Sequence, residues 1–155
     1  DPQGEGPDGH LGLRLIQDRS ELLITGRKTS VFIIADQVLA HAVGDYIIQS
    51  DWMADNKTRK SLAAGVHAVT YTLPFLFLTQ APLALAFIAG THFLIDRFRL
   101  ARWLVWIKNG YLFQQPITAT GYLDNKPPFL AVWLLIIADN IIHVICNGIA
   151  LAWLI

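Results

Sequence analysis

Residues 127–155 read PPFLAVWLLIIADNIIHVICNGIALAWLI and contain no Lys, Arg or Glu. A helix needs roughly 20 mostly apolar residues to cross a bilayer, and this stretch supplies more. The rest of the chain has the same character. Its 155 residues are 54% hydrophobic and 15% charged, richer in apolar residues than an ordinary soluble domain. The formal net charge is zero, so no global field points to nucleic acid. A single cysteine, Cys146, excludes an internal disulfide framework.

Working outward, residues 61–80 and 81–96 are two further apolar runs, separated around TQAP. Pro82 there suits the first turn of a new helix. Residues 31–50 are a fourth run, interrupted by Asp36, Gln37, His41, Asp45 and Gln49. The pattern predicts an all-α fold, a four-helix transmembrane bundle with helices at 31–50, 61–79, 82–98 and 128–154. Residues 98–109, FRLARWLVWIKN, place Leu100, Trp103, Leu104 and Ile107 on one face and Arg99, Arg102 and Lys108 elsewhere. That is the pattern of an interfacial amphipathic helix between the third and fourth spans. Residues 1–30 hold no apolar block of signal-peptide length and read as a partly flexible tail before a membrane domain at 31–155.

Basic residues set the orientation. Lys57, Arg59 and Lys60 follow the first span, and Arg97, Arg99, Arg102, Lys108 and Lys126 lie between the third and fourth. The positive-inside rule makes both links cytoplasmic. Arg14, Arg19, Arg27 and Lys28 in the tail pull the other way. Trp52, Trp133 and Trp153 fall near span boundaries, where aromatic residues anchor a membrane protein.

The polar residues inside these runs carry the chemistry. HAVGD gives His41 and Asp45, HFLID gives His92 and Asp96, and DNIIH gives Asp139 and His143. Residues four apart share a helix face. His67 adds a seventh group, on the second span. Asp45, His67, His92 and Asp96 lie near the predicted cytoplasmic ends, and Asp139 lies somewhat deeper. The alternating helix directions bring these positions into the same half of the bilayer. Ionised carboxylates are costly there unless paired, and no Lys or Arg falls within 31–50, 61–96 or 127–155. Arg97 and Arg99 can reach Asp96 from the interface, but nothing basic in sequence sits near Asp45 or Asp139, and a bound metal cation would balance those directly.

Imidazole and carboxylate together suit a divalent metal, zinc ahead of iron or manganese. His41, Asp45, His67, His92, Asp96, Asp139 and His143 are therefore the candidate ligands. Seven exceed a simple zinc site and suit two metals, or one metal with outer partners. The plainer alternative is a network of interhelical hydrogen bonds. Gln37, Gln49 and Asn147 continue the polar stripes, as outer partners or helix contacts. Cys146 fits ordinary packing better than ligation. Asp36 lies toward the other membrane face, and His10 lies in the tail.

The run HAVGDYIIQSDWMADNK, carrying His41, Asp45, Tyr46, Gln49, Trp52 and Lys57, is followed by His67 and then HFLIDR. This pattern resembles an uncharacterised family of small integral membrane proteins of bacteria and their phages. The resemblance covers about residues 33–155, and HxxxDYxxQ is its most specific part. More distantly, the His/Asp pattern is similar to the inner-membrane metal-dependent hydrolases. The resemblance implies a bacterial inner-membrane location and, through the distant link, hydrolysis.

Three functions follow as expectations. The first is a metal-dependent hydrolase acting on a lipid phosphoester or other amphiphile, with Arg97, Arg99 and Arg102 at headgroup level. Anchoring is the simpler role for those arginines. The second is a metal-ion or proton transporter. The third is a non-enzymatic membrane subunit, meeting a second copy or a membrane protein partner, with Gly44, Gly65, Gly90 and Gly148 allowing close helix contact.

Overall fold

The computed structural model describes residues 34–111 and 116–155, and all the regular structure among them is helical. The predicted tail lies outside the described residues. The chain divides into two compact units, 1–36 and 37–155, and the site described below lies wholly in the second.

Helix α1 is α-helical over residues 34–42 and widens into a π-helix at Val43–Ile48. Helix α2 is Asp51–Asn56, and its N-cap Ser50 accepts the Met53 N–H at 3.4 Å. Helix α3 is Ser61–Thr72 and tightens to a 3-10 helix at Leu73–Phe77. Pro74 causes the change. It lacks an N–H and its ring crowds the carbonyl one turn back, and the Leu73 N–H bonds Thr70 three residues back. Helix α4 is Pro82–Phe98 and helix α5 Leu100–Lys108. Arg99 joins them in the left-handed region, φ 54°. Helix α6 is Pro128–Trp153. Pro82 and Pro128 both start their helices, where a missing N–H costs nothing.

The interior inverts the usual order. Half of the buried apolar residues are alanines, among them Ala63, Ala64, Ala84 and Ala150, while Leu62, Val69, Phe77, Leu83, Phe129, Trp133 and Trp153 face outward. Eight polar side chains are buried instead: Gln37, His41, Asp45, His67, His92, Asp96, His143 and Asn147. Small residues bring helices close where polar contacts hold them. Gly44 is such a position: a Cβ there would stand 2.6 Å from the Tyr71 ring. Gly148 lies against Gln37, but Gly65 and Gly90 have open space, so those two do not mediate the close contact expected of them.

Helix α6 is long and apolar enough to cross a membrane, with a mean hydropathy of 2.2 over its best window. Ser61–Phe77 is a shorter apolar helix. Helix α5 exposes Leu100, Trp103, Leu104 and Ile107, the face read from sequence as apolar, and buries Ala101, Val105 and Trp106. Val105 packs with Tyr122, Ala131, Leu134 and Leu135 against the first turns of α6.

Candidate metal centre

Spacing by four stacks the interior of the bundle in layers. Each of α1, α3, α4 and α6 contributes one histidine to a single layer: His41, His67, His92 and His143. Their rings are neighbours, with centroids 4.7 Å apart for His67 and His92, 4.2 Å for His92 and His143, and 5.7 Å for His41 and His143. One turn toward the basic end stand Asp45, Asp96 and Asp139. The matching position on α3 is Ala63, fully buried. One turn the other way come Gln37, Tyr71, Ile88 and Asn147. Beyond them Phe75, Ala84, Ala150 and Leu151 close the interior with apolar packing.

Four donor atoms converge. His67 Nε2 lies 3.1 Å from Asp45 Oδ1 and 3.3 Å from Asp96 Oδ2. His92 Nε2 lies 3.4 Å and 3.1 Å from the same two oxygens. The two Nε2 atoms are 2.9 Å apart. A tetrahedral ion with bonds of about 2.0–2.1 Å holds its ligands about 3.3–3.4 Å apart, close to these edges. Two ring nitrogens at 2.9 Å share one proton at most. The ring without it turns a lone pair into the cluster, as a metal ligand must. Asp96 Oδ2 is buried and, among the described residues, has ion-pair contacts but no hydrogen-bond partner. A second set adjoins the first: His143 Nε2 is 3.5 Å from Asp96 Oδ1 and 3.5 Å from Asp139 Oδ2. His143 Nε2 is also buried and without a hydrogen-bond partner. The ligand atoms of Asp45, His92 and His143, of His67, His92 and Asp96, and of Asp96, Asp139 and His143 each lie within 4.8 Å of one another. These buried His/Asp groups can hold a metal ion.

His41 is placed differently. Its Nδ1 pairs with the Tyr71 hydroxyl at 2.8 Å and its Nε2 with Asn140 Oδ1 at 2.7 Å. The Tyr71 oxygen accepts from Asn147 Nδ2 at 2.7 Å, leaving its own O–H for His41 Nδ1. His41 Nε2–H then donates to Asn140. Both ring nitrogens are committed, so Nδ1 has no proton for Asp45 Oδ2, which lies 3.5 Å from it. Tyr46 donates to the same Asn140 oxygen at 2.9 Å. Tyr71 also stacks on the His92 ring, centroids 3.6 Å apart.

The cation beside Asp96 is Lys57 and neither of the two interfacial arginines expected there. At the C-terminal cap of α2, it puts its ammonium 2.9 Å from Asp96 Oδ2 and 3.4 Å from His67 Nε2. Arg97, one of the residues expected near Asp96, instead binds the Thr58 carbonyl at 3.0 Å and Ser61 Oγ at 3.2 Å. With three carboxylates and one ammonium, and neutral imidazoles, the cluster carries two excess negative charges. One divalent ion balances them.

A cavity of about 250 Å³ opens from the cluster. Asp45, Asp96 and Asp139 line it together with Lys57, Arg99 and Arg102, and the rest of the wall mixes polar side chains such as Tyr46, Gln49 and Asn140 with apolar ones such as Ile95, Leu135 and Ile136. Arg99 is held by the Ala119 carbonyl at 2.8 Å. Arg102 lies over the Trp103 ring, and its Nε is buried without a partner.

Sequence reasoning missed Lys57 as a charge partner, Tyr71 and Asn140. The HxxxDYxxQ run held signals for two contacts, since it includes Tyr46 and is followed by Lys57. Tyr71 sits in an apolar helix with nothing to mark it. No curated protein and no solved structure matches the chain. A sequence profile described as "Protein of unknown function (DUF3307)" matches residues 33–154, so the chain belongs to the DUF3307 family.

Proposed function

We propose that this chain is a four-span membrane protein that hydrolyses a lipid phosphoester at a divalent-metal site in the cytoplasmic half of the bilayer. The membrane reading rests on the inverted interior: large apolar side chains point outward on every long helix while imidazoles and carboxylates fill the centre. Helices of 17 residues, such as α4, suit a thin hydrocarbon span. The basic segments 57–60 and 97–108 sit at the carboxylate end of the layers, the cytoplasmic side under the positive-inside rule.

The observation that carries the hydrolase reading is the cavity, which joins three carboxylates to three cationic side chains. Asp45, Asp96, His67 and His92 would hold a divalent ion, zinc being the best match to a tetrahedral N/O donor set, and it would supply Lewis-acid polarisation of a phosphoryl oxygen and a more acidic water. The protein's own groups do the rest. Lys57 and Arg102 hold the phosphate anion, Arg99 narrows the entrance, and the exposed face of α5 keeps the entrance at headgroup depth. Water adds to phosphorus, the ester P–O bond breaks, and a water proton ends on the departing alcohol. Transport fits less well, because Tyr71, Phe75 and Ile88 fill the interior beyond the histidines and are fully buried.

The test is metal content of the gently purified protein alongside turnover of a phospholipid panel in nanodiscs. The expected result is bound zinc and release of a phosphorylated headgroup or phosphate, lost in Asp45→Ala and in His92→Ala. Bound metal with no turnover of any lipid would overturn the hydrolase reading, and absence of metal would overturn the site.

A further inference from the structure

We infer that the centre holds two divalent ions bridged by the Asp96 carboxylate, and that the second one, held by Asp139 and His143, is the ion that meets substrate. The inference rests on the metal-site reading above and deepens it. The two oxygens of Asp96 face different partners. Oδ2 points to His67 and His92, at 3.3 Å and 3.1 Å, and Oδ1 points to His143 at 3.5 Å. Carboxylates divided in this way bridge metal pairs, whose ions lie about 3.5–4 Å apart.

The two donor sets also differ in kind. The first has four donors, His67, His92, Asp45 and Asp96, with side chains 10% exposed or less, enough to close a tetrahedral site. The second has three: His143 Nε2, Asp139 Oδ2 and Asp96 Oδ1. Three protein ligands with an open position are the pattern of a catalytic ion. The opening faces the cavity, since Asp139 lines it and its side chain is 30% exposed. His143 Nε2 is buried and, among the described residues, makes no hydrogen bond, only 3.5 Å approaches to the two carboxylates of this set, which marks the position of a missing ligand. One dication already neutralises the three carboxylates and Lys57, so a second leaves two excess positive charges, which an anionic headgroup offsets.

The experiment is stoichiometry and magnetic coupling in the full chain in nanodiscs. The protein is stripped, then titrated with cobalt followed by visible absorption, and separately with manganese followed by electron paramagnetic resonance. Wild type is expected to take up two equivalents, with exchange-coupled manganese. Asp139→Asn and His143→Gln, which keep side-chain volume, are expected to take up one uncoupled equivalent. Asp96→Asn is expected to lose the coupling. Wild type saturating at one equivalent overturns the second ion and leaves the single-metal hydrolase standing. Two coupled equivalents without lipid turnover keep the pair and overturn hydrolysis. Full occupancy in both Asp139→Asn and His143→Gln also overturns the assignment.

Discussion

Replacing Lys57 with methionine is expected to tighten metal binding and slow hydrolysis at the same time. The ammonium lies 2.9 Å from Asp96 Oδ2 and 3.4 Å from His67 Nε2, two atoms of the closed donor set. A divalent cation bonded to those atoms and standing about 4 Å from it is repelled by about 8 kcal/mol at an effective dielectric near 20. The Lys57 side chain is 18% exposed, so it can swing into the cavity and relieve most of that. If about 1.4 kcal/mol survives, the metal dissociation constant of Lys57→Met falls about tenfold. Methionine keeps an unbranched apolar stem of similar length, so the change is mainly one of charge. Hydrolysis moves the other way. Losing a charged contact to the phosphate costs about 1.5–3 kcal/mol, or tenfold to hundredfold in kcat/KM. The assay is competition for zinc with a chromophoric chelator, paired with phospholipid turnover under saturating metal. Weaker metal binding in Lys57→Met refutes the electrostatic reasoning. Unchanged kcat/KM refutes the role of Lys57 at the phosphate.

Other substitutions test separate parts of the arrangement. Gly44→Ala pushes a Cβ to 2.6 Å from Tyr71 Cδ2 and 3.0 Å from the Tyr71 carbonyl, so it is expected to destabilise by about 1–3 kcal/mol, read as a lower Tm in detergent. Gly65→Ala, with nothing within 4 Å, is expected to be neutral or to stabilise by up to about 1 kcal/mol in the same assay. Tyr71→Phe leaves His41 Nδ1 and Asn147 Nδ2 unpartnered, and is expected to cost about 1–3 kcal/mol of stability without changing metal stoichiometry. Arg102→Gln is expected to raise KM for anionic lipid about tenfold while metal content stays fixed, checked by headgroup release over a lipid concentration series.

Much of the interior was legible because its groups recur every fourth residue. That spacing keeps His92 with Asp96 and Asp139 with His143 on their helix faces, and the structure finds each pair within 3.5 Å. The helix boundaries followed from apolar run length and from Pro82 and Pro128. Lys57 was illegible for a physical reason. It lies on a turn, and only a long side chain reaching from there to Asp96 brings its charge inside, so its place depends on tertiary packing and not on periodicity. His41 misled for a related reason. Its spacing to Asp45 matches the other pairs, but Tyr71 and Asn140, from two other helices, take both of its nitrogens. Spacing tells which side chains face inward. It does not tell which nitrogen remains free.

The π-helical widening at Val43–Ile48 ties these points together. Such segments are rare and favour functional positions because they re-aim side chains within a helix. Here the segment starts just after His41 and contains Gly44, Asp45 and Tyr46. Gly44 lets α1 press onto Tyr71. Tyr71 holds the His41 ring, and Tyr46 holds Asn140, the other partner of that ring. With His41 fixed from both sides, Asp45 is turned away from its own helix toward His67, 3.1 Å away on α3. The HAVGDY run therefore contributes one donor and three positioning residues. That division explains how α1, the least apolar of the four long helices, can supply only one carboxylate to the cluster while burying so many polar groups.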